Sequence, residues 1–212
     1  MNEFILITFA ILADVMFPGP NFILCSSIAI NFGYKKAFEL IAGIILGCIF
    51  WCVFLIFGIT ILFAEYPLLK NAIQLVGGIY LLFLGFKMLI ASINNKDILS
   101  LKIAKYRNNQ SNNFKTRFKV FSIGFINCLF NPEVGLFYMV MFTRVIDVHG
   151  INYLWLFIYS LDFIFIQLIC FIFIALCFAK MKNQVLRYLR YLNFGLSLIL
   201  LYLAMKLLIK IF

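Results

Sequence analysis

Three carboxyl groups and two proline breaks stand inside runs of residues that are otherwise strongly apolar. Asp14 follows ten uncharged residues that begin at Phe4, and four residues later comes Pro18-Gly19-Pro20-Asn21, within a stretch that continues to Phe32. Asn131-Pro132-Glu133 interrupts a second apolar run in the same manner, and Asp162 lies within a third. In hydrocarbon an unpaired carboxylate is costly and a broken helix strands backbone groups, so both belong where protein or a wet cavity receives them. The chemistry on offer is proton exchange and the holding of a charged solute.

Each residue type suggests a role. Burial and a neighbouring acid both favour the neutral form of a carboxyl, so Asp14, Asp162 and Glu133 are proton-coupling candidates near physiological pH. At the first break Gly19 permits a sharp reversal and Pro20 can open a new helix, whose free amides at Asn21 and Phe22 attract an anion. An amino acid zwitterion fits this arrangement, its carboxylate on the half-helix N-terminus and its ammonium near Asp14 or Asp162. At the second break Asn131 reads as an N-cap, Pro132 as the first helical residue and Glu133 as a first-turn acid. That local role can coexist with solute binding. Asn127 and Asn131 are placed to line the same cavity, with Ser26, Ser27, Tyr80 and Gln74 as further lining candidates.

The elements that carry these residues are membrane spans. Hydrophobic residues make up 65% of the chain and charged ones 12%, against about 45–50% and about 25% in soluble domains. Runs long enough to cross a bilayer fall near 4–31, 38–63, 68–93, 119–143, 151–179 and 189–212. The expected fold is therefore all-α, with six transmembrane helices and breaks in the first and fourth. Asp14 lies about 15 Å from the start of its span and Glu133 about 18 Å from Phe121, both near the middle of a core roughly 30 Å thick. Asp162 has a depth similar to that of Asp14, so the three acids are expected to meet.

A polar, asparagine-rich and basic stretch divides the chain into a first repeat at 1–93, a loop at 94–118 and a second repeat at 119–212. Three spans separate the two breaks, and an odd number inverts the second half, as in transporters whose paired broken helices build a midplane solute site. The net charge of +10 follows topology and not a nucleic-acid surface. Lys35, Lys36, the seven basic residues from Lys96 to Lys119, then Lys180, Lys182, Arg187 and Arg190 all occupy the first, third and fifth connections. Those connections are expected in the cytoplasm and both termini outside. Lys87, at the end of the third span, is expected to snorkel to the basic side. The N-terminus lacks the pattern of a cleaved signal, so the first span is expected to be retained.

Cys25, Cys48, Cys52, Cys128, Cys170 and Cys177 lie inside spans with no histidine near them, which argues against structural disulfides or a zinc site. Cys48 and Cys52 share a helical face and read as packing. A thiol–disulfide carrier using Cys25 and Cys128, one in each half, is an alternative to solute export. A metal-ion or cation exporter using the acids as hard ligands is another. No catalytic triad, HExxH or phosphate loop is present, so neither an enzyme nor a cofactor is expected. The expected partners are a small amino acid substrate and the lipid bilayer; a homo-oligomer is compatible with the sequence.

Pro18-Gly19-Pro20-Asn21, Gly33 followed by basic residues, Gly43-x3-Gly47, Gly77-Gly78-Ile79-Tyr80-Leu81-Leu82-Phe83-Leu84-Gly85, a basic loop, and Gly124-Phe125 with Asn131-Pro132 resemble the lysine exporter (LysE/RhtB) family over nearly the whole chain. The resemblance implies a six-span inner-membrane exporter of amino acids or close derivatives, driven by the proton gradient as an antiporter. It also implies a lysine after the Asn-Pro pair, where this chain has Glu133, and an acid after the second glycine of the second span, where it has Cys48. Asp162 agrees with the family pattern and Asp14 departs from it. The added negative charge suits a cationic solute such as lysine, arginine or a diamine.

Overall fold

The computed structural model describes residues 3–17, 19–65, 67–93 and 117–209, with side chains at 3, 59–65, 67–71, 74, 91, 181–190, 192–193 and 207 outside the description. Pro18, the Gln74 side chain and all but the last two residues of the 94–118 loop thus lie outside the description. The described residues form helices joined by short breaks, without a strand among them: α1 Glu3–Met16, α2 Pro20–Phe32, α3 Tyr34–Glu65, α4 Pro67–Ile93, α5 Arg117–Leu129, α6 Pro132–His149 and α7 Tyr153–Ile209. Two segments, Tyr34–Gly58 and Tyr153–Lys180, are long and apolar enough to cross a membrane, and each of two bent pairs adds one more if counted as a single span.

The breaks stand where Pro20 and Pro132 remove a backbone donor. Helices α1 and α2 meet at 56° and α5 and α6 at 55°, and in each pair the second helix begins with proline. Each pair also ends on a glycine in the left-handed region, Gly33 at φ 80° and Gly150 at φ 69°, a conformation that glycine adopts without steric penalty. Pro132 cannot donate to the carbonyl four residues before it, that of Cys128. The Trp51 indole N–H, at 3.4 Å, and the Asn131 amide, at 3.4 Å, donate to that oxygen instead.

Packing crosses between the halves. Helix α3 lies chiefly on α5, α1 lies on the first part of α7, and α4 lies on its last part. At the α3–α5 crossing a Cβ on Gly43 would run into the Phe121 carbonyl, and one on Gly124 into the Leu40 carbonyl. Such backbone-to-backbone contact is how small residues join helices in lipid, where the hydrophobic effect does not drive them together. Arg117 reaches Glu39, which also pairs with Lys36, so the first connection and the end of the third lie on one side.

The fifth connection differs from expectation. Residues 180–190 are helical and continue α7 without interruption, for Lys180-Met181-Lys182 through Arg190 contains neither glycine nor proline to stop a helix. The element is nonetheless not one straight rod. A straight helix would separate Phe163 from Leu201 by about 57 Å. Phe163 packs on Tyr138, Val140 touches Gly77, and Gly85 touches Leu201; that chain of contacts reaches at most roughly 45 Å.

Candidate functional site

The two breaks meet. Asp14, Gly19, Pro20, Asn21, Asn131 and Glu133 line one cavity together with Gln167 and Phe171 of α7. Three contacts close it. Asn127 Nδ2 donates to Asn21 Oδ1 at 2.6 Å, joining α5 to α2. The Glu133 carboxylate lies against the first break, its Oε2 3.0 Å from where a Cβ on Gly19 would stand. The Tyr80 hydroxyl, from α4, donates to the Glu133 carbonyl at 3.3 Å.

Local sequence explains the placement of each group. Asn131 caps α6 as its type and position suggest: Oδ1 accepts from the Glu133 amide at 3.0 Å, Pro132 takes the first helical position and Glu133 the first turn. Helix α2 starts at Pro20 from an extended Gly19 and has no side-chain cap. Its first amides, at Asn21 and Phe22, therefore face the break without a capping oxygen. Asp14 sits in the last turn of α1, and among the described residues none donates a hydrogen bond to its carboxylate. The cavity measures about 30 Å³, room for about one or two water molecules. An amino acid needs this space to widen.

Asp162 is placed elsewhere. It accepts a hydrogen bond from Thr8 Oγ1 at 3.1 Å and borders an open surface groove with Leu161, Ile164, Phe165 and Leu168. The expected meeting of three acids is thus a meeting of two, Asp14 and Glu133. Ser26 turns its hydroxyl back to the Phe22 and Ile23 carbonyls, and the Ser27 hydroxyl accepts from Asn31. Neither lines the cavity. Cys25 points its thiol at the Phe171 carbonyl, 3.8 Å away, while Cys128 lies 3.6 Å from Cys48, which donates to Gln167 at 2.8 Å. Among the described residues no three histidine, cysteine or acidic side chains are grouped to hold a metal ion.

Sequence reasoning missed Lys87. Its Nζ stands 3.4 Å from Glu133 Oε1 and over the faces of Phe17 and Phe83, at 5.0 and 5.5 Å. Attraction to a carboxylate and two aromatic faces holds the ammonium there. A signal was available: Tyr80, Phe83 and Lys87 recur at helical spacing and so share one face of α4. Gln167 and Phe171, four residues apart on α7, carried the same kind of signal.

The family pattern of the LysE type translocators matches residues 12–211. The chain belongs to this family. Its members are translocators and not enzymes. An uncharacterized membrane protein of Haemophilus influenzae is 29% identical over 188 residues, 86% of this chain and 84% of that protein. The leucine efflux protein of an Enterobacter species is 31% identical over 138 residues, and that of Klebsiella pneumoniae 29% over 136. These alignments cover 65% and 64% of this chain but only 61% and 59% of the relatives' length. No solved structure matches the chain.

Proposed function

We propose that this translocator is a secondary transporter of the inner membrane that exports neutral amino acids in exchange for protons. The carrying observation is the convergence on one cavity of the Asp14 carboxylate, which has no donor among the described residues, and the uncapped N-terminus of a half-helix, α2. A zwitterion is complementary to that pair: its ammonium goes to Asp14 and its carboxylate to the amides of Asn21 and Phe22. Asn127, Asn131 and Gln167 supply neutral polar contacts around it. Asp14 is the first candidate to exchange solute for proton, because one carboxylate serving both in turn produces antiport with few further parts.

The charge count bears on the substrate. Lys87 offsets Glu133 and Asp162 lies outside the cavity, so the excess negative charge that would favour lysine or a diamine is smaller than the sequence suggests. Relatives that export leucine favour the same reading.

Six crossings as two inverted three-helix repeats fit the matched angles, the paired prolines, the paired left-handed glycines and the exchanged packing partners of α1 and α3. In this arrangement both termini face outward and the basic connections face the cytoplasm. The test is efflux of labelled leucine, threonine and lysine from proteoliposomes, with and without a proton gradient. Leucine is expected to leave faster than lysine, and faster with the gradient; equal rates for all three, or indifference to the gradient, would overturn the reading.

A further inference from the structure

Lys87 brings a cation from a third helix to the place where the two breaks meet. Its bond to Glu133 is a loose one: a single contact of 3.4 Å, with the lysine side chain 42% exposed and the glutamate 28%. A single long contact is weaker than a short or bidentate one, so the carboxylate of a solute can compete with Glu133 for the lysine. The remaining Glu133 oxygen fills the space that a Cβ on Gly19 would need, directly before the uncapped start of α2. The Glu133 carboxylate therefore occupies the ground between Lys87 and the α2 N-terminus, which is where the carboxylate of a bound amino acid would go. Its presence accounts in part for a cavity of only about 30 Å³.

We propose that Lys87 is the residue that recognises the carboxylate of the solute, and that Glu133 is a built-in occupant which the solute displaces. The ring faces of Phe17 and Phe83 hold the ammonium in position while its partner changes. Tyr80 keeps its bond to the Glu133 carbonyl, so the side chain can swing without releasing the backbone of α6. This rests on the amino acid reading above and narrows it: the substrate carries a free carboxylate, which excludes amides, esters and diamines.

The test is binding of leucine and of leucinamide to the full chain in nanodiscs, for wild type, Lys87→Gln, Lys87→Arg, Glu133→Gln and the exchanged pair Lys87→Glu with Glu133→Lys. Leucine is expected to bind and leucinamide to fail. Lys87→Gln should weaken leucine on the order of tenfold or more, the range for losing a bond to a charged group, and Lys87→Arg should retain it. Glu133→Gln should tighten leucine severalfold, because nothing then competes for Lys87. The exchanged pair should not recover wild-type binding, since the cation would sit on the wrong helix. Weakening by both single changes alike, recovery in the exchanged pair, or equal binding of leucinamide would show a structural ion pair and overturn the inference. Failure of the wild type to bind any free amino acid would instead overturn the proposed function beneath it.

Discussion

Asp14 and Asp162 are both acids inside apolar helices, yet their surroundings assign them different work. Asp14 faces a cavity shared with Glu133, whereas Asp162 is bonded to Thr8 beside an open groove. Asp14→Asn is therefore expected to reduce leucine efflux on the order of tenfold or more, and Asp162→Asn to change it much less, as measured by initial rates in proteoliposomes. The Asn127–Asn21 bond is a second separable contribution. Replacing Asn127 by leucine should lower stability in detergent by about 1 kcal/mol, the scale of a polar contact between membrane helices, read as a lower unfolding temperature. At this scale the sequence exposed what depends on near neighbours. The cap formed by Asn131, Pro132 and Glu133 is local chemistry, and it was legible. The partner of Lys87 was not, because helical spacing groups residues on a face without saying which helix that face meets.

Among the elements, the α3–α5 crossing makes the strongest demand on residue size. Gly43→Ala and Gly124→Ala each place a methyl group into a backbone carbonyl, which cannot rotate aside as a side chain can. Each is expected to destabilise by about 1–3 kcal/mol, the usual effect of overpacking, whereas Gly58→Ala should be neutral or better, since its nearest neighbour among the described residues is Phe54 at 3.8 Å. Thermal unfolding of the purified variants separates these outcomes. The breaks in α1–α2 and α5–α6 were legible because proline removes a donor wherever it stands. The helical course of residues 180–190 was not, because charge patterning locates a connection without specifying its backbone. Glycines in the second span suggested close packing, but which helix they would meet is fixed by tertiary contact alone.

For the whole molecule, the inverted repeat proposed above rests on paired proline breaks in opposite halves, which bend by 56° and 55°. The corresponding orientation is testable: alkaline phosphatase fused after Phe212 should be active and a fusion within residues 94–116 inactive, with the opposite result for green fluorescent protein. The size of the cavity could not be read from residue types, since it depends on how Glu133, Gly19 and the asparagines close upon one another. Its smallness has an electrical consequence. A file of water able to pass protons across a core roughly 30 Å thick needs about ten molecules in line, and a void holding one or two cannot support such a file. In this conformation the cavity is therefore not by itself a proton wire, which suits a carrier that is proposed to run on the membrane voltage and would be drained by a leak.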